Sequence, residues 1–260
     1  MHLIDSHAHL DLLPDLGAAL ERAAGAGVAQ IVTIGVDLAS SQAAAGLAQA
    51  HAQVFASVGL HPHDAAQAQG EDYFRQMREL ALTSAAVAIG ECGLDYFRDR
   101  SPRPLQAQAF ARQIELALEL NLPLVVHDRD AHEPCAAMLA EQHAERVGGV
   151  LHCFSGDLDL ARRVLDLGFH LGVTGVVTYK NAGALRELVR LVPIERLLLE
   201  TDCPYLTPSP KRTGKPDNEP AYLPYTCAAL AQALGRAPEE VAALTTANTR
   251  RLFGLPGQGV

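Results

Sequence analysis

Leu3-Ile4-Asp5-Ser6-His7-Ala8-His9 is a short, largely apolar run that ends in two histidines. A helical pattern at 16–24 follows it, and then a second apolar run, Gln30-Ile31-Val32-Thr33-Ile34-Gly35-Val36. Strand, helix and strand in that order, with a connection long enough for a right-handed crossover, predict two neighbouring parallel strands. The same alternation continues along the chain. Further strands read at 54–60, 87–94, 124–127, 150–154, 170–174 and 197–201, with helical periods at 41–52, 73–82, 104–120, 132–143, 158–166 and 184–191. Eight strand and helix units in 260 residues suit an α/β fold of the closed (β/α)8 TIM-barrel type, which uses roughly 200–250 residues as one domain. An eighth helix is expected at 221–234 and an extra one at 238–252; a doubly wound open sheet is the alternative. No linker or composition shift divides the chain, so residues 1–260 are expected to be a single domain.

Hydrophobic residues make up 48% of the chain and charged residues 20%, and the mean hydropathy is +0.06. These values exclude a disordered chain, a collagenous fibre and a disulfide-stapled miniprotein. The net charge of −9 argues against a general nucleic-acid coat protein, because phosphate binding draws on clustered positive charge. Neither a basic leader with an apolar run nor about 18 uncharged apolar residues in a row is found, so no membrane association is expected and the expected compartment is the cytoplasm. The five cysteines are odd in number and scattered, which suits reduced thiols. One irregular stretch, 202–220, carries five prolines at 204, 208, 210, 216 and 220. Prolines so placed exclude a continuous helix or a central strand, and a loop this long is read as a rim of the site.

The histidines carry the functional signal. His7 and His9, at i and i+2 of a strand, point to one side. Glu91 lies near the end of the fourth strand, His127 ends the fifth, His152 lies near the end of the sixth, and Asp202 follows the eighth. In a (β/α)8 barrel the C-terminal strand ends share one face, so His7, His9, Glu91, His127, His152 and Asp202 converge there. Four imidazoles and two carboxylates suit zinc, magnesium or manganese, and they are too many for one tetrahedral ion that keeps a water position. Two divalent ions about 3.5–4 Å apart, bridged by a carboxylate, use all six.

With these residues in place, the chain resembles the TatD family of metal-dependent deoxyribonucleases, in the amidohydrolase-like barrel superfamily. Three segments carry the resemblance. They are Leu3-Ile4-Asp5-Ser6-His7-Ala8-His9-Leu10-Asp11, Pro123-Leu124-Val125-Val126-His127-Asp128-Arg129-Asp130-Ala131-His132-Glu133 and Leu197-Leu198-Leu199-Glu200-Thr201-Asp202-Cys203-Pro204-Tyr205. Gly59-Leu60-His61-Pro62-His63, Gly90-Glu91-Cys92-Gly93-Leu94-Asp95-Tyr96 and Leu151-His152-Cys153-Phe154-Ser155-Gly156 also match. The resemblance implies that His7, His9 and Asp202 hold one metal and His127 and His152 the other, with Glu91 bridging. It implies a 3′ to 5′ exonuclease acting on single-stranded DNA or RNA ends, with Asp202 and Glu91 as catalytic residues. The superfamily often bridges its metals with a modified lysine; no strand end here offers one, and Glu91 fills that need.

Substrate contacts are expected from His61, His63, Tyr96, Arg129 and Tyr205, the tyrosines by stacking on a base. Arg98, Lys211, Arg212 and Lys215 are further phosphate candidates. The family usually shows Arg-Gly-Lys-Arg-Asn-Glu-Pro where this chain has the longer run from Arg212 to Pro220, which weakens the case for the loop cations. Cys92, Cys153 and Cys203 each follow a proposed ligand and read as small packing residues, since strand alternation turns a neighbour away. His2, His51, His132, His143 and His170 read as structural or exposed. Two other readings stay open: a metal-dependent hydrolase of the same barrel superfamily acting on another bond, such as the ester of a D-aminoacyl-tRNA or a small amide, and a non-catalytic metal-binding or partner-binding barrel. Nucleic-acid ends are the expected partners; no stable protein partner is implied, and a monomer is expected.

Overall fold

The structure is a computed structural model that describes residues 1–68, 70–214 and 217–257. Lys215, one of the loop cations, lies outside the described residues, as does Pro216. By internal packing the chain divides into two compact units, residues 1–33 with 171–260 and residues 34–170. In the first, β1 (Leu3–Ala8) runs parallel to β2 (Val28–Thr33), with α1 (Leu16–Gly25) between them in sequence. The second holds α2 (Leu38–Ala50), β3 (Val54–Val58), α3 (Glu71–Thr83), β4 (Ala88–Asp95), α4 (Arg103–Leu120), β5 (Leu124–Arg129), α5 (His132–Glu141), β6 (Gly149–Leu151) and α6 (Leu158–Asp166). There β3, β4, β5 and β6 pair in parallel, in that order. The chain then returns to the first unit, where β7 (His170–Val173) pairs in parallel with β8 (Leu197–Leu199), with α7 (Gly183–Leu191) between them in sequence, before α8 (Leu223–Leu234) and α9 (Pro238–Phe253). Strand order follows sequence order from β1 to β8, and the architecture is the (β/α)8 barrel that the alternation predicts.

Most strand residues are buried, as parallel strands covered on both faces must be, with the end of β5 emerging at Arg129. Every residue of β1 and β4 is buried, and Leu197, Leu198 and Leu199 are at most 1% exposed. Burial on both faces is why Val, Ile and Leu runs marked the strands.

Strand ends depart from expectation, and the reasons are local. Both β4 and β5 run on to Asp95 and Arg129, pairing Gly93 with His127, Leu94 with Asp128 and Asp95 with Arg129. Gly93 permits this: its φ is +129°, and a Cβ there would collide with the His127 carbonyl oxygen. Glu91 and His127 therefore lie inside strands instead of near or at their ends. Conversely, β6 and β8 are only three residues long, and β1 stops at Ala8. His9, His152 and Asp202 sit just beyond strands, where backbone groups are taken by other partners: Thr201 N–H donates to Asp5 Oδ1 at 2.9 Å. In the second unit α2 starts three residues earlier than expected. Asp37 Oδ1 accepts from Ser40 N at 2.7 Å and Ser40 Oγ accepts from Asp37 N at 2.9 Å, a capping box upstream of the apolar period.

Within the first unit α9 is tied to the entry of β8. Asn248, 1% exposed, donates from Nδ2 to the carbonyls of Ile194 and Leu197 at 2.8 and 2.9 Å. Asn248→Ala leaves two buried carbonyls without this donor and is expected to lower stability by about 1–3 kcal/mol in urea unfolding. An unchanged midpoint would show that the tie carries no weight.

Candidate metal centre

In the first unit the polar end of β1 is sealed from water. Asp5, Ser6 and His7 are fully buried and His9 is 7% exposed. The i, i+2 spacing brings both rings to one side even though His9 lies one residue past the strand. Their Nε2 atoms are 3.4 Å apart, with the rings edge to face. Asp202 Oδ1 lies 3.5 Å from His7 Nε2 and 3.4 Å from His9 Nε2. Bonds of about 2.0–2.1 Å in a tetrahedral site separate ligand atoms by about 3.3–3.4 Å. The triangle of His7, His9 and Asp202 has edges of that length, so these residues fit a divalent ion.

A built turn carries Asp202. Its backbone N–H donates to the His7 carbonyl at 2.9 Å, and its φ is +55°, in the left-handed region. Asp5 secures the preceding residue by accepting from Thr201 N at 2.9 Å and Thr201 Oγ1 at 2.5 Å. Burial pushes the Asp5 carboxyl up to about 7, against the lowering effect of these bonds. Asn218, 2% exposed, secures the other side by donating to the Thr201 carbonyl at 2.8 Å and the Tyr205 carbonyl at 2.6 Å. Next to it, Glu219 is clamped by Arg22 of α1 at 2.5–3.0 Å. The long loop is thus anchored where its Asn-Glu-Pro run begins.

The second unit has its own cluster, centred on one oxygen. Glu91 Oε1 lies 3.0 Å from His127 Nδ1, 3.0 Å from His152 Nε2 and 3.4 Å from His61 Nε2. His127 Nδ1 and His152 Nε2 are 3.2 Å apart. These edges match ligand atoms at right angles around an ion with bonds of about 2.1 Å, where the separation is about 3.0 Å. Glu91, His127 and His152 therefore also fit a divalent ion. His61, Glu91 and His127 likewise bring one ligand atom each within 4.8 Å of one another. His61 Nδ1, however, accepts the His63 N–H at 3.1 Å, which leaves the proton of the neutral ring on Nε2, facing Glu91. Burial pushes His61 down to about 4, so the ring is neutral at pH 7.

Asp95 braces this cluster from behind. Oδ2 is 2.7 Å from His63 Nε2 and 3.2 Å from His127 Nε2, while Oδ1 accepts the backbone N–H of Phe97 at 3.0 Å and of Arg98 at 2.7 Å. Against the opposing effect of burial, bonds to Asp95 and Glu91 raise His127 to about 9. In turn, bonds from His127, the Arg98 backbone and His63 hold Asp95 well below the usual carboxylate range, again against burial. Glu91 is held low in the same sense, with burial opposed by His152, His61 and His127. A carboxylate that orients a ligating imidazole through its far nitrogen is a recurrent outer partner in metal sites.

The six residues expected as ligands thus fall into two sets: His7, His9 and Asp202 in the first unit, and Glu91, His127 and His152 in the second. Of the expected substrate residues, His61 Nε2 lies 3.4 Å from Glu91 Oε1 and His63 Nε2 lies 2.7 Å from Asp95 Oδ2. Tyr96 is half-buried with Arg103 stacked on its ring at 4.2 Å, and Arg129 lies 4.1 Å over Phe97. Tyr205 is 48% exposed and meets His9 edge-on at 6.0 Å. Of the loop cations, Lys211 sits over Tyr222 and Tyr225 and Arg212 over Tyr179, so neither is a bare solvated charge. Cys92 and Cys203 are fully buried, as packing residues should be; Cys153 is half-buried. Sequence reasoning passed over Asp95 and Asn218. Asp95 had a signal, because it stands at i+4 from Glu91 on the same face of β4; Asn218 had only its place in the Asn-Glu-Pro run.

A family model described as TatD related DNase matches residues 4–254. The chain belongs to that family. It is 42% identical to an uncharacterized metal-dependent hydrolase, YabD, of Bacillus subtilis, over 96% of this chain and 98% of that one. It is also 42% identical to the 3′-5′ ssDNA/RNA exonuclease TatD of Citrobacter rodentium, over 90% of each. Among solved structures, the TatD homologue YJJV of Escherichia coli superposes with a TM-score of 0.91 at 32% identity, covering 98% of both chains.

If Asp95 orients His127, then Asp95→Asn should keep the fold by circular dichroism yet bind the ion at His127 about 10- to 100-fold more weakly in a Zn²⁺ or Mn²⁺ calorimetric titration. An affinity equal to the parent's refutes the bracing role.

Proposed function

We propose that the protein is a divalent-metal-dependent nuclease that removes nucleotides from single-stranded DNA or RNA ends in the 3′ to 5′ direction, and that it acts as a cytoplasmic monomer. One observation carries the reading most: each compact unit gathers two imidazoles and a buried carboxylate at ligand-to-ligand spacings. The relative named as a single-strand exonuclease supports the choice of substrate. No helix of the described residues is long and apolar enough to cross a membrane.

In this reading one ion is held by His7, His9 and Asp202 and a second by Glu91, His127 and His152. Bound divalent ions acidify water towards neutral pH and offset charge on phosphate oxygens. The protein's own groups do the rest. Asp202 accepts the proton of the attacking water, as a carboxylate does when its geometry is fixed. Asp5, Thr201 and Asn218 hold the turn that aims Asp202, while Asp95 holds His127 in one orientation. Glu91 stays ionised through its three imidazoles. Arg129 and Tyr205, both exposed, contact the incoming strand.

Purified protein with Mg²⁺ or Mn²⁺ is expected to shorten end-labelled single-stranded DNA, and chelation to stop the reaction. No cleavage with any divalent ion overturns the nuclease reading. Asp202→Asn should lower kcat by at least about 100-fold, in line with loss of a general base. Cleavage by that variant at the parent rate would remove Asp202 from the role.

A further inference from the structure

Phe97, two residues past the end of β4, is 55% exposed, although every residue of that strand is buried. Guanidinium groups are set against this exposed ring: Arg129 lies 4.1 Å over the ring centroid and Arg98 lies 5.6 Å from it. Arg100 lies in the same loop and Arg103 opens α4, paired with Asp99, so Arg98, Arg100 and Arg129 leave this segment locally cationic in a chain whose net charge is −9. An arginine stacked on an aromatic ring still presents its edge N–H groups to a phosphate. Exposed aromatic and guanidinium groups in alternation are the composition used for single strands, the ring taking a base face and the cation the backbone.

The backbone that carries the ring is also held in place. Asp95 Oδ1 accepts the N–H of Phe97 and of Arg98, Tyr96 N–H donates to the Arg129 carbonyl at 2.9 Å, and Gln106 Nε2 donates to the carbonyls of Asp95 and Ser101 at 3.2 and 2.8 Å. A pinned backbone reduces the ordering that binding would otherwise require. The other oxygen of the same Asp95 carboxylate meets His127 Nε2. One carboxylate therefore links a proposed metal ligand to the exposed ring.

We propose that Phe97, with Arg129 and Arg98, forms a stacking platform for a nucleobase of the substrate strand, close to the nucleotide being removed. This rests on the nuclease reading above and names a base-contacting group that the sequence did not single out. Tyr96, the expected stacking residue of this loop, is half-buried, whereas Phe97 is exposed.

The test is a cycle between ring and base. The parent and Phe97→Ala are compared on a labelled single strand and on the same strand made abasic at the three nucleotides nearest the digested end. On the base-bearing strand Phe97→Ala should raise KM about tenfold, the size expected for losing one base stack, and Phe97→Trp should restore it. On the abasic strand the parent and Phe97→Ala should have equal KM. If Phe97→Ala weakens both strands equally, the ring only braces its loop and the platform is refuted. An unchanged KM on the base-bearing strand refutes it too. If the parent cleaves neither strand, the nuclease reading fails and takes the platform with it, an outcome distinct from cleavage that is indifferent to Phe97.

Discussion

A carboxylate placed where Glu91 stands would be neutral if burial alone acted on it, because an isolated charge is poorly solvated in the interior. Three imidazoles reverse that outcome by meeting a single oxygen at 3.0, 3.0 and 3.4 Å. The arrangement constrains the second unit around it. His127 comes from β5, His152 from just past β6, and His61 from beyond β3, so three elements must deliver a side chain to one atom. Small positional errors would leave a buried charge with fewer partners, which is costly enough to select one packing. The parallel register of β3 to β6 is thus tied to an electrostatic requirement as well as to apolar burial.

The same requirement explains the uneven strand lengths. His127 needs its far nitrogen held, and Asp95 can reach it only if β4 continues through Gly93 alongside β5. Glycine at 93 is what lets the His127 backbone come that close. In the first unit the opposite holds: β8 stops at Leu199 because Thr201 turns its N–H and hydroxyl to Asp5. There the carboxylate of β1 ends the ladder and sets up the left-handed turn at Asp202. Strand ends in this protein are decided by buried polar partners.

That is also why the fold was more legible in the sequence than the ends of its elements were. Apolar runs such as Ile31-Val32 and Val125-Val126 are dictated by burial on both faces, which a reader of sequence sees directly. The partners of Asp5, Asp95 and Asn218 are set by contacts between residues far apart in the chain, up to 196 positions for Asp5 and Thr201, and no local pattern announces them. The six proposed ligands were legible because histidine and carboxylate recur at or just past strands. His61 and His63 read as substrate contacts in the sequence; only geometry shows that each also faces a carboxylate.

The net charge of −9 gains a different meaning from these contacts. Much of the acidic total lies on the surface in short-range pairs, such as Arg236 with Glu240 and Arg163 with Glu133, and exposed pairs like these contribute little to stability. The carboxylates of the two clusters are buried among imidazoles, and each bound divalent ion would add two positive charges there. Under the proposed function, the guanidinium groups around Phe97 and the bound ions would supply local positive charge for a strand end, while the net negative charge argues against a broad grip along a duplex. On these terms, the acidic composition that argues against a coat protein is compatible with the proposed enzyme, which handles one end at a time.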